Sequence, residues 1–141
     1  MKLVVNLVLG LNRAVLAEGL VFAQRLGVSP RLALDILKAG AAYSRVMDMK
    51  GDKMLRGDFK PQARLSQHLK DVRLMLAAAE QAGQRLPLSQ VHRDLLEHAE
   101  QLGLGALDNS AILRAIEAVA PAHKKLPSNS RRRSSEPTPS P

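Results

Sequence analysis

Two residues near the start of the chain, Lys2 and Asn6, combine types and a spacing that could support proton transfer. Four residues advance an α-helix by about 400°, so a helix through KLVVN stacks both side chains on one face. At the start of a buried helix, desolvation and the positive end of the helix dipole would both ease loss of the ammonium proton, and Lys2 could then exchange a proton near neutral pH. Asn6 could hold a substrate oxygen beside it. The spacing alone favours a solvated terminal lysine, and both interpretations stay open.

A second charged pair, Lys70 and Asp71, lies in the stretch SQHLKDVRLML. Lys70 falls in the middle of a predicted amphipathic helix, where a solvated lysine is normal. This pair therefore indicates little by itself.

The four histidines do not have the spacing of metal ligands. His92 and His98 are six residues apart, which places them on different faces of a helix, so no metal site is expected. The chain also lacks a Gly-x-Ser-x-Gly nucleophile turn and both usual glycine-rich phosphate loops.

The elements that must position these side chains are helices. Apolar residues recur with helical periodicity up to the C-terminal tail, Ser29 and Pro30 are typical of a helix start, and Gly27 and Gly83 are typical of helix ends. The predicted helices cover residues 2–26, 30–40, 43–55, 63–82, 88–102 and 108–119. The first is apolar around nearly its whole circumference, which indicates burial in a core or an interface. We expect an all-α domain of about six helices, with no βαβ unit.

The charge divides the chain into two parts. The net charge is +8, of which residues 1–120 contribute +4 and residues 121–141 contribute +4. The second part is rich in Pro and Ser and nearly free of apolar residues, so we expect a helical domain over 1–120 and a disordered basic tail over 121–141. The RRR of this tail could contact anionic partners, but nucleic-acid binding is not favoured because the folded part has few aromatic residues and no recognition motif.

Composition also suggests a location. The chain has no cysteine, which excludes disulfides and fits a reducing cytoplasm. The uncharged stretch over residues 3–12 is half the length that a membrane span requires, roughly 20 residues, and no clean signal-peptide cleavage site follows it. We therefore expect no membrane association.

Three separated blocks resemble one known family in order and spacing. They are KLVVNLVLGLNRAVLAEGLVFAQRLGVSPRLALDIL, DFKPQARLSQHLKDVRLMLAAAEQAGQRLPL and GALDNSAILRAIE, and the resemblance covers about residues 2–118. The chain resembles the helical C-terminal domain of the β-hydroxyacid dehydrogenases, which include 3-hydroxyisobutyrate dehydrogenase, tartronate semialdehyde reductase and, more distantly, 6-phosphogluconate dehydrogenase.

The resemblance implies roles for the residues introduced above. The family's K-x-x-x-N motif falls on Lys2 and Asn6, which implies that Lys2 is the general acid/base and that Asn6 orients the substrate. Its K-D motif falls on Lys70 and Asp71, which implies that Lys70 lies near the NAD or NADP cofactor. Family members carry a Rossmann domain with G-x-G-x-x-G before the helical domain, and this chain lacks it. Many also have an aromatic residue at the position of Ala63, which puts the usual substrate pocket in question.

The resemblance implies the C-terminal substrate and catalytic domain of an NAD(P)-dependent 3-hydroxyacid dehydrogenase, present as a fragment or split gene product and inactive alone. Its expected partners are a small hydroxy acid, a separate Rossmann domain or a second copy of the chain. The alternative is a non-catalytic helical dimerisation or interaction module. A strand and a G-x-G-x-x-G motif encoded upstream would favour the dehydrogenase.

Overall fold

Six α-helices and a short 3-10 helix make up the part of the chain that the structure, a computed structural model, describes, which is residues 1–119. In chain order these are α1 (Lys2–Arg25), α2 (Pro30–Ala39), α3 (Arg45–Arg56), α4 (Leu65–Gln81), α5 (Pro87–Gln101), the 3-10 helix (Asn109–Ala111) and α6 (Ile112–Val119). The prediction of an all-α fold is confirmed. The predicted basic tail, residues 121–141, lies outside the described residues.

The helix ends follow the local chemistry of the sequence. Gly27 and Gly83 have φ of 83° and 73°, the left-handed region that glycine adopts at low cost, and they let the chain turn away after α1 and α4. Ser29 is the N-cap of α2 and Pro30 is its first residue, as predicted, although the Ser29 side chain makes no capping hydrogen bond.

The core is built around α1, which contacts each of the other five helices. Its buried residues run from Gly10 to Val21. Leu, Val, Ile and Met side chains from the surrounding helices pack against this stretch, and the almost fully buried ones include Leu34, Met54, Leu65, Leu69, Val72, Met75, Leu96 and Ile112. Aliphatic residues thus form the core, as the low aromatic content requires.

The N-terminal half of α1 departs from the prediction of a helix buried on nearly all sides. Residues 1–5 are all exposed, and Val8, Val15 and Phe22 continue the exposed apolar surface along the helix. Lys2 is therefore in contact with solvent, and this domain does not desolvate it as the sequence suggested. The buried residues of α1 lie between Gly10 and Val21, and Leu7 and Leu9 pack against the core from partly buried positions.

By length and composition, α1 is also long and apolar enough to cross a membrane. The uncharged stretch over residues 3–12 did not predict this, because the apolar part of α1 continues beyond the isolated charge of Arg13. Core helices of soluble proteins share this length and composition, and 39% of the apolar 18-residue stretch of α1 is buried inside this domain. The finding is weak evidence for a membrane span.

Candidate functional site

A small cleft opens where α1 runs beside the first half of α4. Its volume is about 220 Å³, below the range of roughly 300–1,000 Å³ typical of sites for larger ligands. The two helices line it with Asn6, Leu9, Arg13, Gln67, His68 and Asp71. Because the three α1 residues are spaced at i, i+3 and i+7, they share one face of the helix.

In each of the two motif pairs, only one residue lines the cleft. Asn6 is half-buried and lines the cleft, whereas Lys2 is exposed in the first turn of α1 and is not among the lining residues. On α4, Asp71 lines the cleft and Lys70 is exposed outside it. Neighbouring helical residues point about 100° apart, which explains why only one member of the Lys70–Asp71 pair can face inward. Asp71 accepts a hydrogen bond from Nε2 of Gln67 at 3.4 Å.

The far wall of the cleft comes from the connection before α4 and from the 3-10 helix. Ala63, Arg64 and Asn109 line this wall. Ala63 occupies the position where the resemblance implies an aromatic side chain in many family members, so a methyl group stands there in this wall.

Asp108 fixes this wall in place from behind. Its carboxylate is fully buried and accepts hydrogen bonds from Lys50 Nζ at 3.0 Å, from the backbone N–H of Gln62 at 3.0 Å and of Ala63 at 3.2 Å, and from the backbone N–H and hydroxyl of Ser110. Burial alone would raise the pKa of Asp108, but the hydrogen bonds from Ser110, Lys50 and Gln62 outweigh burial and hold that pKa well below its usual range.

Backbone hydrogen bonds also join residues 107–109 to the connection before α4 and to its first residue. The N–H of Asp108 donates to the carbonyl of Phe59 at 2.9 Å, and the N–H of Asn109 donates to the carbonyl of Ala63 at 2.8 Å. The N–H of Leu65 donates to the carbonyl of Leu107 at 2.9 Å. The sequence predicted Asp108 as a helix cap, and its side chain does cap the 3-10 helix through the N–H of Ser110. Its larger role as the junction of three segments was not predicted.

Arg13 forms the inner end of the cleft. The residue is only 9% exposed, and within residues 1–119 neither Nε nor Nη1 has a hydrogen-bond partner. Burial lowers the pKa of Arg13 to about 10, and the nearby charge of Asp108 acts in the opposite direction. The guanidinium is therefore cationic at neutral pH.

His68 and His92 pack together beside Arg13. Their ring centroids lie 5.2 Å apart, and neither Nε2 has a hydrogen-bond partner within the described residues. Burial, with a further contribution from the charge of Arg13, lowers the pKa of His68 to about 3 and that of His92 to about 4. Both rings are thus neutral at pH 7. They reach α1 because Gly10 has no side chain: a Cβ there would lie 2.5 Å from Nε2 of His68.

Sequence reasoning missed Arg13, the His68–His92 pair and Asn109. Arg13 could have been found, because it follows Asn6 by seven residues and so shares its helix face. The histidine pair joins α4 to α5, and no local spacing signals a contact between different helices.

The chain resembles known proteins over most of its length. Residues 1–116 match the family described as NAD-binding of NADP-dependent 3-hydroxyisobutyrate dehydrogenase. Glyoxylate/succinic semialdehyde reductase 1 of Arabidopsis thaliana is 35% identical over 117 residues, which are 83% of this chain and 40% of that protein. Cytokine-like nuclear factor N-PAC of Aedes aegypti is 35% identical over 112 residues, which are 79% of this chain and 20% of that protein.

Solved structures show the same fold. The 3-hydroxyisobutyrate dehydrogenase of Salmonella typhimurium superposes with a TM-score of 0.77 at 25% identity, over 80% of this chain and 40% of the other. The enzyme of the same name from Mycobacterium tuberculosis, in a structure with L-serine, gives a TM-score of 0.74 at 23% identity, over 82% of this chain and 42% of the other. The chain thus spans less than half the length of these proteins.

Proposed function

The chain belongs to the 3-hydroxyisobutyrate dehydrogenase family, and on this premise we propose that it is the substrate and catalytic domain of an NAD(P)-dependent 3-hydroxyacid dehydrogenase. The observation that carries the proposal is the cleft between α1 and α4, because Asn6 of one family motif and Asp71 of the other both line it. Two motifs that are far apart in sequence therefore meet at one small polar cavity.

The proposed chemistry needs a proton donor and a substrate-orienting group from this chain. The nicotinamide, when bound, supplies or accepts the hydride. In the reducing direction, Lys2 gives a proton to the aldehyde oxygen, and in the oxidising direction its neutral amine takes the proton from the hydroxyl. Asn6 donates a hydrogen bond from its side-chain amide to the same oxygen and transfers no proton.

The described residues fit only one side of a dinucleotide site. Residues 1–119 form helices and contain no strand, so the phosphate-binding turn of a Rossmann domain has to come from other polypeptide. Lys70 and Lys2 are exposed cations that could contact the cofactor at the domain boundary. We propose that the chain is inactive until such a domain joins it.

The N-terminal half of α1 supports a need for a partner. Its exposed apolar side chains include Val4, Val5 and Val8, which are 55%, 50% and 49% exposed. A Rossmann domain, or a second copy of this chain, would remove them from water. Lys2 lies in the same turns, so the partner would also provide the desolvation that the isolated domain does not. A cytoplasmic location stays a prediction, since the relatives named above include a nuclear factor.

A non-catalytic helical interaction module is the second candidate, and the same exposed face of α1 favours it. Such a module would need association but no cofactor. Sedimentation at micromolar concentration tests for association, with and without the Rossmann domain of the Arabidopsis reductase. Only a dehydrogenase domain would also gain hydride transfer when the Rossmann domain is added.

A transplant tests the proposed function. The chain replaces the segment of Arabidopsis glyoxylate/succinic semialdehyde reductase 1 to which it aligns, and oxidation of NADPH and NADH is followed with an aldehyde acid as substrate. We expect slow but measurable turnover. A hybrid that folds and binds cofactor but does not turn over would contradict the dehydrogenase and favour the interaction module.

A further inference from the structure

The last turn of α1 brings a side chain of its buried face into contact with solvent. Gln24 follows Leu20 by four residues and so points the same way, but Leu20 is only 3% exposed and Gln24 is exposed. A hollow of about 220 Å³ opens beside Gln24, between the C-terminal turns of α1 and α3 and one face of α6. A second hollow, of about 470 Å³, shares Gln24 and Glu117 with the first. We call the two hollows together the α1–α6 groove.

The floor of the α1–α6 groove is aliphatic. It is lined by the half-buried Leu55 and by four side chains that the core almost covers, Leu20, Val21, Met54 and Leu113. Aliphatic side chains of a partner that packed on this floor would leave water, which favours binding. Among the described residues that line the groove, none is aromatic, so the bases of a nucleic acid would find no stacking surface. The floor therefore matches a peptide better than a nucleic acid.

The rim of the first hollow is cationic. Arg56 and Arg114 contribute two positive charges and Glu117 contributes one negative charge, which leaves a net charge of +1. Arg114 and Glu117 form an ion pair, in which Nη1 lies 2.9 Å from Oε2. Arg56 forms no ion pair within residues 1–119. Its guanidinium is therefore available to a carboxylate of a partner, which it can bind through two parallel hydrogen bonds.

The guanidinium of Arg114 is held in place at this rim. Its Cζ lies 5.4 Å from the centre of the Phe59 ring, on the side away from water, and Glu117 pairs with it along α6. Gly57 has φ of 63°, and a Cβ at this position would lie 3.0 Å from Nη2 of Arg114. The glycine turn thus lets the guanidinium approach the backbone. Because this part of the rim is already ordered, a partner would lose little free energy in fixing it.

We propose that the α1–α6 groove binds an acidic peptide segment that also carries aliphatic side chains. The aliphatic side chains enter the hollows, and a carboxylate pairs with Arg56. Charge complementarity selects this occupant: residues 121–141 carry +4 and a second copy of the chain carries +8, the same sign of charge as the rim. This binding goes beyond the proposed dehydrogenase and does not depend on it, because Lys2 lies at the other end of α1, roughly 33 Å from Gln24.

Binding is measured with the full chain and a short dye-labelled peptide in which pairs of Glu alternate with pairs of Leu. We expect saturable fluorescence anisotropy and, in an isotope-labelled sample, amide shifts near Gln24, Arg56 and Leu113. A peptide with Gln in place of Glu, and one with Ser in place of Leu, should each bind about fivefold more weakly or worse. Equal binding of the three peptides, shifts confined to other residues, or tighter binding of a single-stranded oligonucleotide would overturn the proposal.

Substitutions at Gln24 change the charge of the groove at an exposed position. Gln24→Lys should strengthen binding about two- to fivefold, and Gln24→Glu should weaken it by a similar factor, as expected for exposed charges. Arg56→Gln should weaken binding about fivefold. Gln81→Lys and Gln81→Glu, in the last turn of α4, are the matched controls and should bind as the parent does. A gain in the Gln24→Lys variant cannot come from misfolding, and unchanged affinity in all three groove variants would refute the proposal.

A further variant separates the groove from the basic C-terminal segment. Arg131→Ser, Arg132→Ser and Arg133→Ser are combined in the full chain, which removes three of the positive charges of residues 121–141. This variant should weaken binding less than Arg56→Gln does, because the groove and its rim are intact. Loss of binding here, with unchanged binding in the Gln24→Glu variant, would assign the peptide to the C-terminal segment and overturn the proposal.

Discussion

At the scale of single residues, the cleft depends most on Asp108. This one carboxylate joins α3, the connection before α4 and the 3-10 helix, through Lys50, Gln62, Ala63 and Ser110. The wall that carries Asn109 is held by these bonds, so the shape of the cleft and the stability of the domain depend on the same group.

Asp108→Asn should lower the free energy of unfolding by about 3–5 kcal/mol, because it leaves the ammonium of Lys50 buried without a counter-charge. Urea unfolding followed by circular dichroism measures the loss. Asp52→Asn is the matched control: Asp52 pairs with Arg31 at 2.8 Å, but both side chains are more than half exposed, at 57% and 52%. It should cost less than about 1 kcal/mol. Equal losses in the two variants would contradict the assigned role of Asp108.

The sequence could predict Asp108 only in part. A cap is a local feature, and the Asp-Asn-Ser stretch before an apolar run signals one. Lys50 lies 58 residues away, and no spacing rule connects the two. Helical periodicity could have placed Arg13 on the face of Asn6, but only the packed structure shows that its Nε and Nη1 have no partner within residues 1–119.

The His68–His92 pair should make the domain sensitive to acid. Both rings have pKa values below the unfolded value of 6.5, so the unfolded chain binds protons more readily as the pH falls. Stability is therefore full above about pH 7 and decreases below about pH 6.5, by about 2 kcal/mol for each ring at about pH 5. Urea unfolding between about pH 7.5 and about pH 5 measures this slope. His92→Gln should flatten it by about half, and an unchanged slope would show that another group titrates.

At the scale of elements, the contact of α1 with α4 and α5 depends on the lack of a side chain at Gly10. The helices themselves were predictable, since periodicity, Ser29–Pro30 and the glycines after α1 and α4 are local signals. Their packing was not predictable. The composition of α1 suggested that its apolar side chains are buried, but those in its N-terminal half are exposed. The face of α1 that contacts His68 and His92 is set by the joint packing of α1, α4 and α5.

Two glycines of α1 should respond to alanine in opposite directions. Gly10→Ala places a Cβ 2.5 Å from His68 Nε2 and 2.9 Å from His92 Cε1, so we expect a loss of about 1–3 kcal/mol from overpacking. Gly19→Ala meets nothing within 4 Å and should gain up to about 1 kcal/mol from helix propensity. Thermal unfolding of both variants measures the difference. A stabilised Gly10→Ala variant would show that the rings can move aside freely.

At the scale of the whole molecule, the domain corresponds to only a part of its longer relatives. It matches between 20% and 42% of the length of the relatives compared above, and its own residues supply a polar cleft, a candidate proton donor and an exposed apolar face. The family motifs allowed the proposed roles of Lys2, Asn6 and Lys70 to be predicted from sequence. The environment of Lys2 could not be predicted, because it depends on polypeptide that would pack against α1.

The role of Lys2 is measured most directly in the reductase transplant, by comparing turnover of the Lys2→Ala variant with that of the parent hybrid. Loss of the general acid/base should lower turnover by a factor of roughly 10²–10⁴. Lys2→Arg should be nearly as slow, because a guanidinium does not release its proton near neutral pH. Arg25→Ala removes a cationic side chain about 35 Å away along the same helix and should leave turnover unchanged. Full activity in the Lys2→Ala hybrid would contradict proton transfer by this lysine.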